Sequence, residues 1–444
     1  MSEQFTEKES TASQQADVTI VGGGMVGASL ALLLSSLNLD WRIQVIEAFP
    51  VSAASPDTLQ PSFDARSTAL SHSSREIFEI LGLWKTLNTR LADIRDVHVS
   101  DRGHIGSTRL RAEEQNLPAL GYVVENQWLG SVLIEALQGS DNIEIIAPAT
   151  VEEVSPVQGG TELCLSTGLD ITTKLLVIAD GAQSNTREKL GIDATTNDYG
   201  QVAVVANVSL SQSHNNIAYE RFTDSGPMAL LPLLPINEAS IDNVGLDKEY
   251  RSALVWTLPP ERAEEVIAAS ESEFLALLQD RFGHRLGQFK RVGSRHSYPI
   301  RLITSNEQVR SNLVVVGNAA HSLHPVAGQG FNLALRDVAV LANELALAAD
   351  AGSELGELKV LQGYIERQQM DQKQTILLSD LLPKVFTIGA APIALARNLG
   401  LLALDAVPLF RHQFARLGMG LETRGTLLDK SLSHNQPQKV SQHG

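Results

Sequence analysis

Three strand–glycine–helix units lie far apart in this chain, and one body must gather them. The first has apolar Val18, Ile20 and Val21, then Gly22-Gly23-Gly24-Met25-Val26-Gly27, then the helix-forming run Ala28 to Leu34. A further strand, Ile43 to Ile46, ends in Glu47. The second unit is the buried-strand run Leu175 to Ala179, followed by Asp180 and Gly181, with Arg187 on a helix. The third starts as Leu313-Val314-Val315-Val316 and breaks at Gly317-Asn318. It passes Pro325 and tightens at Gly328-Gln329-Gly330. It then becomes a helix with apolar Phe331, Leu333, Ala334, Leu335 and Val338. Between the units, Val202 to Leu210, Ala218 to Phe222, Met228 to Leu234 and Ser252 to Leu258 read as strands of an antiparallel sheet.

A glycine turn that opens a helix leaves backbone N–H groups unpaired, and the positive end of the helix dipole points the same way. Such a turn suits a negatively polarised ligand. Gly22, Gly24 and Gly27 match the dinucleotide fingerprint. Gly22 permits the tight turn, Gly24 lets backbone approach a pyrophosphate, and Gly27 allows close helix–strand packing. Glu47, about 20 residues on, is placed to accept hydrogen bonds from ribose hydroxyls. The fingerprint alone leaves FAD and NAD both open. Arg66, just after this unit, is suited to a pyrophosphate or a flavin edge; an ion pair with Asp64 is the plainer reading.

The chain of 444 residues has room for two or three domains. A net charge of −16 argues against general nucleic-acid binding, which needs clustered Lys and Arg. The single cysteine, Cys164, excludes a disulfide framework and a thiolate metal site, and no other metal constellation is visible. The polar lead-in has no signal-peptide pattern, and no window is apolar enough to span a membrane. The expected location is the cytoplasm, with peripheral contact at the inner membrane left open.

The pattern predicts an α/β fold: a Rossmann-like cofactor-binding domain interleaved with an antiparallel-sheet substrate domain, plus C-terminal helices. The expected segments are 17–75, 97–187 and 295–345 for the first, 76–96 and 188–294 for the second, and 346–428 for the helices. Residues 1–16 and 431–444 are expected to be disordered. Apolar clusters at Ile376 to Leu378, Leu381-Leu382, Val385-Phe386 and Leu399 to Leu404 suit packing on the core or another subunit. They equally suit a greasy portal for a prenyl tail or a shallow membrane contact. His321, His324, Arg221 and His296 are candidates near the substrate, with a loop-bracing role the plainer reading for the two histidines of the Ala319 to Pro325 loop.

As a set, Gly22-x-Gly24-x-x-Gly27, Asp180-Gly181 and Gly317-Asn318…Pro325…Gly328-Gln329-Gly330 resemble the three signatures of the FAD-dependent aromatic hydroxylases of the para-hydroxybenzoate hydroxylase fold. Asp64-x-Arg66-x-x-Ala69-Leu70 and the run from His324 to Leu333 resemble the ubiquinone-biosynthesis branch. The resemblance implies a monooxygenase that hydroxylates a polyprenylated (methoxy)phenol through a flavin C4a-hydroperoxide. FAD would be the cofactor, with O2 and NAD(P)H or another electron donor as co-substrates. It assigns Gly22, Gly24, Gly27 and Glu47 to the ADP half. Arg66 and Gln127 would flank the pyrophosphate and ring, and Asp180 and Gly181 would lie near the flavin and the NAD(P)H path. Asn318 would contact ribitol. Pro325 and Gly328, Gln329, Gly330, Phe331 and Asn332 would line the pyrimidine end. His324 and Pro325 are the candidates nearest the chemistry. The wider family carries Asp where this chain has Asn318; Asn still accepts one hydrogen bond and also donates. Implied partners are the polyprenyl phenol, subunits of a ubiquinone-biosynthesis complex, and a membrane surface met by the C-terminal helices. Two alternatives stay open: an isoprenoid reductase or dehydrogenase of the same fold, and a flavin-bearing scaffold subunit.

Overall fold

The computed structural model describes residues 14–51, 66–103, 106–236, 249–325, 328–387, 412 and 416. The expectations for residues 1–13 and 431–444, for Asp64 and for Leu399 to Leu404 lie outside them.

The three glycine units meet in one sheet. Its parallel strands run in the order Leu313–Val315, Asp170–Ile178, Gln14–Val21, Ile43–Ile46, Ile143–Ile146. Strand Gln14–Val21 is followed in sequence by its neighbour on one side, while its neighbour on the other comes from far along the chain. That reversal opens a crevice at the carboxyl ends of the strands, where ligands bind in doubly wound sheets. The strand starts at Gln14, where Gln14, Gln15 and Ala16 pair with Ile171, Thr172 and Thr173, so the expected disorder does not reach this far.

Helix Met25–Ser36 is apolar almost all round because both its sides are covered. Gly27 to Leu34 are all buried, and the helix packs against helices Asn126–Gln138 and Gln329–Asp350. Helix Asn126–Gln138 begins only at Asn126, because Gly121–Glu125 before it pairs with Ser67–Ser71 and Leu91–Ile94 in a three-stranded sheet.

The second large sheet is mostly antiparallel and runs in the order His321–Ser322, His296–Ser305, Ala194–Leu210, Glu249–Leu258, Gly226–Ile236, Ile217–Thr223, Asp96–Asp101, Ser107–Arg111. Three expected boundaries need correction here, one of them at residues 296–305, expected in the cofactor domain yet paired with Ala194–Leu210 in this sheet. Residues 97–111 belong to this sheet through the pairing of Ile217–Thr223 with Asp96–Asp101, not to the cofactor domain. Residues 76–80, expected in the substrate domain, end helix His72–Ile80, which buries Ile77 and Phe78 in the core of the parallel sheet. Helices Pro260–Ala268 and Glu271–Phe282 cover one face of the large sheet; Ser270 breaks them apart and caps the second through a reciprocal Ser270–Glu273 box. The long helix Leu358–Thr387 lies along Gln329–Asp350 and reaches the strands of the large sheet. No helix among the described residues is long and apolar enough to cross a membrane.

Candidate functional site

The first glycine loop is built by close approach. Gly22 has φ +105°, and a Cβ there would lie 2.5 Å from the Ala179 carbonyl oxygen; a Cβ on Gly27 would overlap the Gly22 carbonyl oxygen. Gly24 caps helix Met25–Ser36 with no side-chain partner. Gly23 donates its N–H to Glu47 Oε2 at 2.8 Å, and Phe49 donates to Oε1 at 3.0 Å. Burial pushes the Glu47 carboxyl above its ordinary value, and these backbone bonds pull against it. Asp180 accepts from Thr186 N–H at 3.2 Å through Oδ2, while its Oδ1 is buried without a partner among the described residues. Gly181 follows at φ +95°. A carboxylate on the strand end, an orphaned oxygen and a helix start free of side chains fit the pyrophosphate and ribose of FAD.

The second cradle faces it. Gly317 turns at φ +63° against the side chain of Val26, and Asn318 stands exposed in the short turn Gly317–Ala319. Gly328, at φ +59°, caps helix Gln329–Asp350. Gly330 needs neither a positive φ nor a close protein neighbour, since a Cβ there meets nothing within 4 Å. It lines the cavity, so the free space beside it belongs to a ligand.

Asn332 does something else. Its Oδ1 accepts from Ser71 N–H at 2.8 Å and Ser74 Oγ at 2.7 Å, and its Nδ2 donates to Ala69 O at 2.8 Å and Gly328 O at 2.7 Å. All four bonding positions of the amide are filled. Asn332 staples the glycine turn to strand Ser67–Ser71, so its side chain holds the cradle rather than the cofactor. Gln329 is buried, and Phe331 packs against the core.

Both histidines of the loop are buried. His321 Nε2 meets Asp337 Oδ2 at 2.6 Å, and Asp337 Oδ1 accepts from Gln368 at 2.7 Å and Gln372 at 3.1 Å. Next to it Arg336 pairs with Asp371 through Nε (2.7 Å) and Nη2 (3.0 Å). This network ties the loop and its helix to Leu358–Thr387. His324 is fully buried, edge-on to Tyr199 at 5.2 Å, and burial holds its pKa down at about 4. It lines the cavity and is uncharged at neutral pH.

A cavity of about 730 Å³ lies between the second cradle and the large sheet. Arg66, Asn318, Pro325, Gly328 and Gly330 stand on one side, with Arg66 over the Tyr298 ring at 4.5 Å. The opposite wall is apolar, with Val97, Val99, Ala218, Phe222, Leu231 and Val255. Leu378, Leu382 and Val385 of the long helix close one side, while the adjacent Leu377 and Leu381 are 62% and 50% exposed. Gln127 is exposed on the first turn of its helix, and Asn126 is the residue of that turn that lines the cavity, bonded to Thr68 at 2.7 Å. Arg221 and His296 do not line it. The sequence reading passed over Glu220, the only acidic side chain among the described lining residues.

The family described as FAD binding domain matches residues 15–359. The chain is 35% identical to ubiquinone hydroxylase UbiL of Rhodospirillum rubrum over 410 residues, covering 92% of this chain and 91% of that one. It is 30% identical to 3-demethoxyubiquinol 3-hydroxylase of Escherichia coli over 410 residues, covering 92% and 100%. Its fold is similar to p-nitrophenol 4-monooxygenase PnpA of Pseudomonas putida, with a TM-score of 0.71 at 19% identity, covering 94% of this chain and 100% of that one.

Proposed function

The chain belongs to the FAD binding domain family, and we propose that it is an FAD-dependent monooxygenase that hydroxylates the ring of a polyprenylated (methoxy)phenol, a ubiquinone precursor. One observation carries the reading: the glycine cradle Gly328–Gly330 opens into an apolar cavity large enough for an aromatic ring. The names of the two relatives support the substrate class, and the motif details favour a 2-polyprenyl-6-methoxyphenol.

Gly22, Gly24, Gly27, Glu47, Asp180 and Gly181 would hold the ADP half and the phosphates. Arg66, Asn318, Pro325 and Gly328 to Phe331 would hold the ring half. Bound FAD, reduced by NAD(P)H or another donor, supplies the activation of O2 and the delivery of a hydroxyl group. The protein's own work is placement and exclusion. The N-terminus of helix Gln329–Asp350 directs its positive end at the cavity and favours negative charge there. The apolar wall keeps water from the reacting centre. An alkoxy-substituted phenol is already nucleophilic, so no covalent nucleophile is required.

The prenyl tail would leave past Leu378, Leu382 and Val385. Leu377 and Leu381 present apolar surface at that same point, where a bilayer or a subunit of a biosynthetic complex would deliver the substrate. Removing the protein from its host should cause a prenylated phenol lacking one ring hydroxyl to accumulate. Accumulation of a compound unrelated to quinones would overturn the substrate assignment.

A further inference from the structure

Glu220 sits in the middle of the apolar wall. Strand pairing sets the row Val99–Glu220–Ala229–Val255–Val205 across four adjoining pairs of the large sheet. Directly paired residues point to the same face, and all five line the cavity. A carboxylate flanked on both sides by small and branched apolar residues is expensive unless something pairs with it. Among the described residues Glu220 has no hydrogen-bond or ion-pair partner. Nothing in the packing or the cofactor cradles uses it.

We propose that Glu220 receives the phenolic hydroxyl of the substrate: its carboxylate accepts the ring O–H hydrogen bond and then the proton. The ring O–H bond breaks and a carboxyl O–H bond forms at Glu220. The electron pair stays on the ring oxygen, which enriches the ortho and para carbons for attack on electrophilic oxygen. The inference rests on the phenol reading above and adds the residue that would orient and activate the ring.

The surroundings suit this role. Burial alone pushes Glu220 up to about 8. Its side chain is half-buried and borders the cavity, and the apolar residues paired with it on both sides set the cost of the charge. A base with such a pKa is far better matched to a phenol, whose own value is about 10, than an ordinary carboxylate. The other ionisable lining residues are Arg66, Arg301, Tyr219, Tyr298 and His324. Asp380 and Lys384, on the bordering helix, pair with each other, and Asp380 accepts from Tyr199. Asp96 and His98 alternate with Val97 and Val99 on the neighbouring strand and engage Arg109 and Arg285. Arg221 follows on the opposite face of the strand itself. None of these contributes to the shift of Glu220.

The test uses the FAD-loaded protein and a soluble methoxyphenol bearing a short prenyl chain. Wild-type kcat should rise with pH through about 8, because the base works deprotonated. Glu220→Gln should keep its flavin, lose roughly 100-fold in kcat with a smaller change in KM, and lose that pH limb. Glu220→Asp should recover part of both. An unchanged rate and pH limb in Glu220→Gln would overturn the proposal. A second measurement needs no variant: the O-methyl ether of the same compound, which has no ring O–H to give, should be hydroxylated far more slowly by wild type. An equal rate for the ether would overturn the proposal while leaving the hydroxylase reading intact. A flavin-loaded wild type that neither binds nor oxygenates the phenol would instead sink the reading on which it rests.

Discussion

Gly330→Val separates a glycine needed by a ligand from one needed by the fold. Gly330 lies in the first turn of Gln329–Asp350, outside the left-handed region, and a Cβ there finds no protein atom within 4 Å. Helix propensity therefore predicts a neutral change, or a gain of about a few tenths of a kcal/mol, in the apoprotein. The added carbons would fill the space beside the free N–H groups of the helix start, within a cavity of about 730 Å³. If the cofactor loses two backbone hydrogen bonds at about 1 kcal/mol each, its affinity falls roughly 30-fold. Thermal unfolding of the apoprotein and titration with FAD read the two effects apart. Gly27→Ala is the contrasting control: its Cβ would overlap the Gly22 carbonyl oxygen, so fold and flavin should be lost together. Wild-type FAD affinity in Gly330→Val, or collapse of its apoprotein, would refute the argument.

Asn318→Asp should retain FAD, because Asp keeps the accepting oxygen; loss of the yellow flavin absorbance on purification would contradict this. Asp371→Leu leaves the Arg336 guanidinium, 1% exposed, without its two carboxylate bonds, and urea unfolding should show a loss of about 3–5 kcal/mol. His324 should make the protein acid-sensitive. The unfolded chain takes up a proton near 6.5, while the folded protein resists until about 4. Stability is then full above 6.5 and falls as pH drops to 4, by roughly 3 kcal/mol if the whole gap is expressed. His324→Gln should flatten that fall, and an unchanged pH profile would show that the ring is not buried neutral.

The glycine cradles were legible because each imposes a requirement of its own backbone. Gly22 and Gly27 have carbonyl oxygens where a Cβ would sit, and no other residue type satisfies that. Residues whose role depends on a distant partner were not legible. Arg221 and Glu220 are neighbours on one strand, and only its pairing with Asp96–Asp101 decides which faces the cavity; a shift of one residue exchanges the two faces. The same non-local pairing moved residues 97–111 into the large sheet. Gln127 and Asn126 differ by one step round a helix start, with the same consequence. Asn332 falls within a cofactor motif, yet its four bonds reach back to residues 69–74 and to Gly328. His321–Asp337 and Arg336–Asp371 depend on two helices lying side by side, which no local pattern announces.

The most direct test of the account follows the oxygen atom. The FAD-loaded protein, NADH and a short-chain prenyl methoxyphenol are incubated under isotopically heavy dioxygen, and the product is weighed by mass spectrometry. The account predicts a ring hydroxylated once, with its new oxygen drawn from the gas. A product that forms equally well without oxygen, or whose added oxygen comes from water, would contradict it.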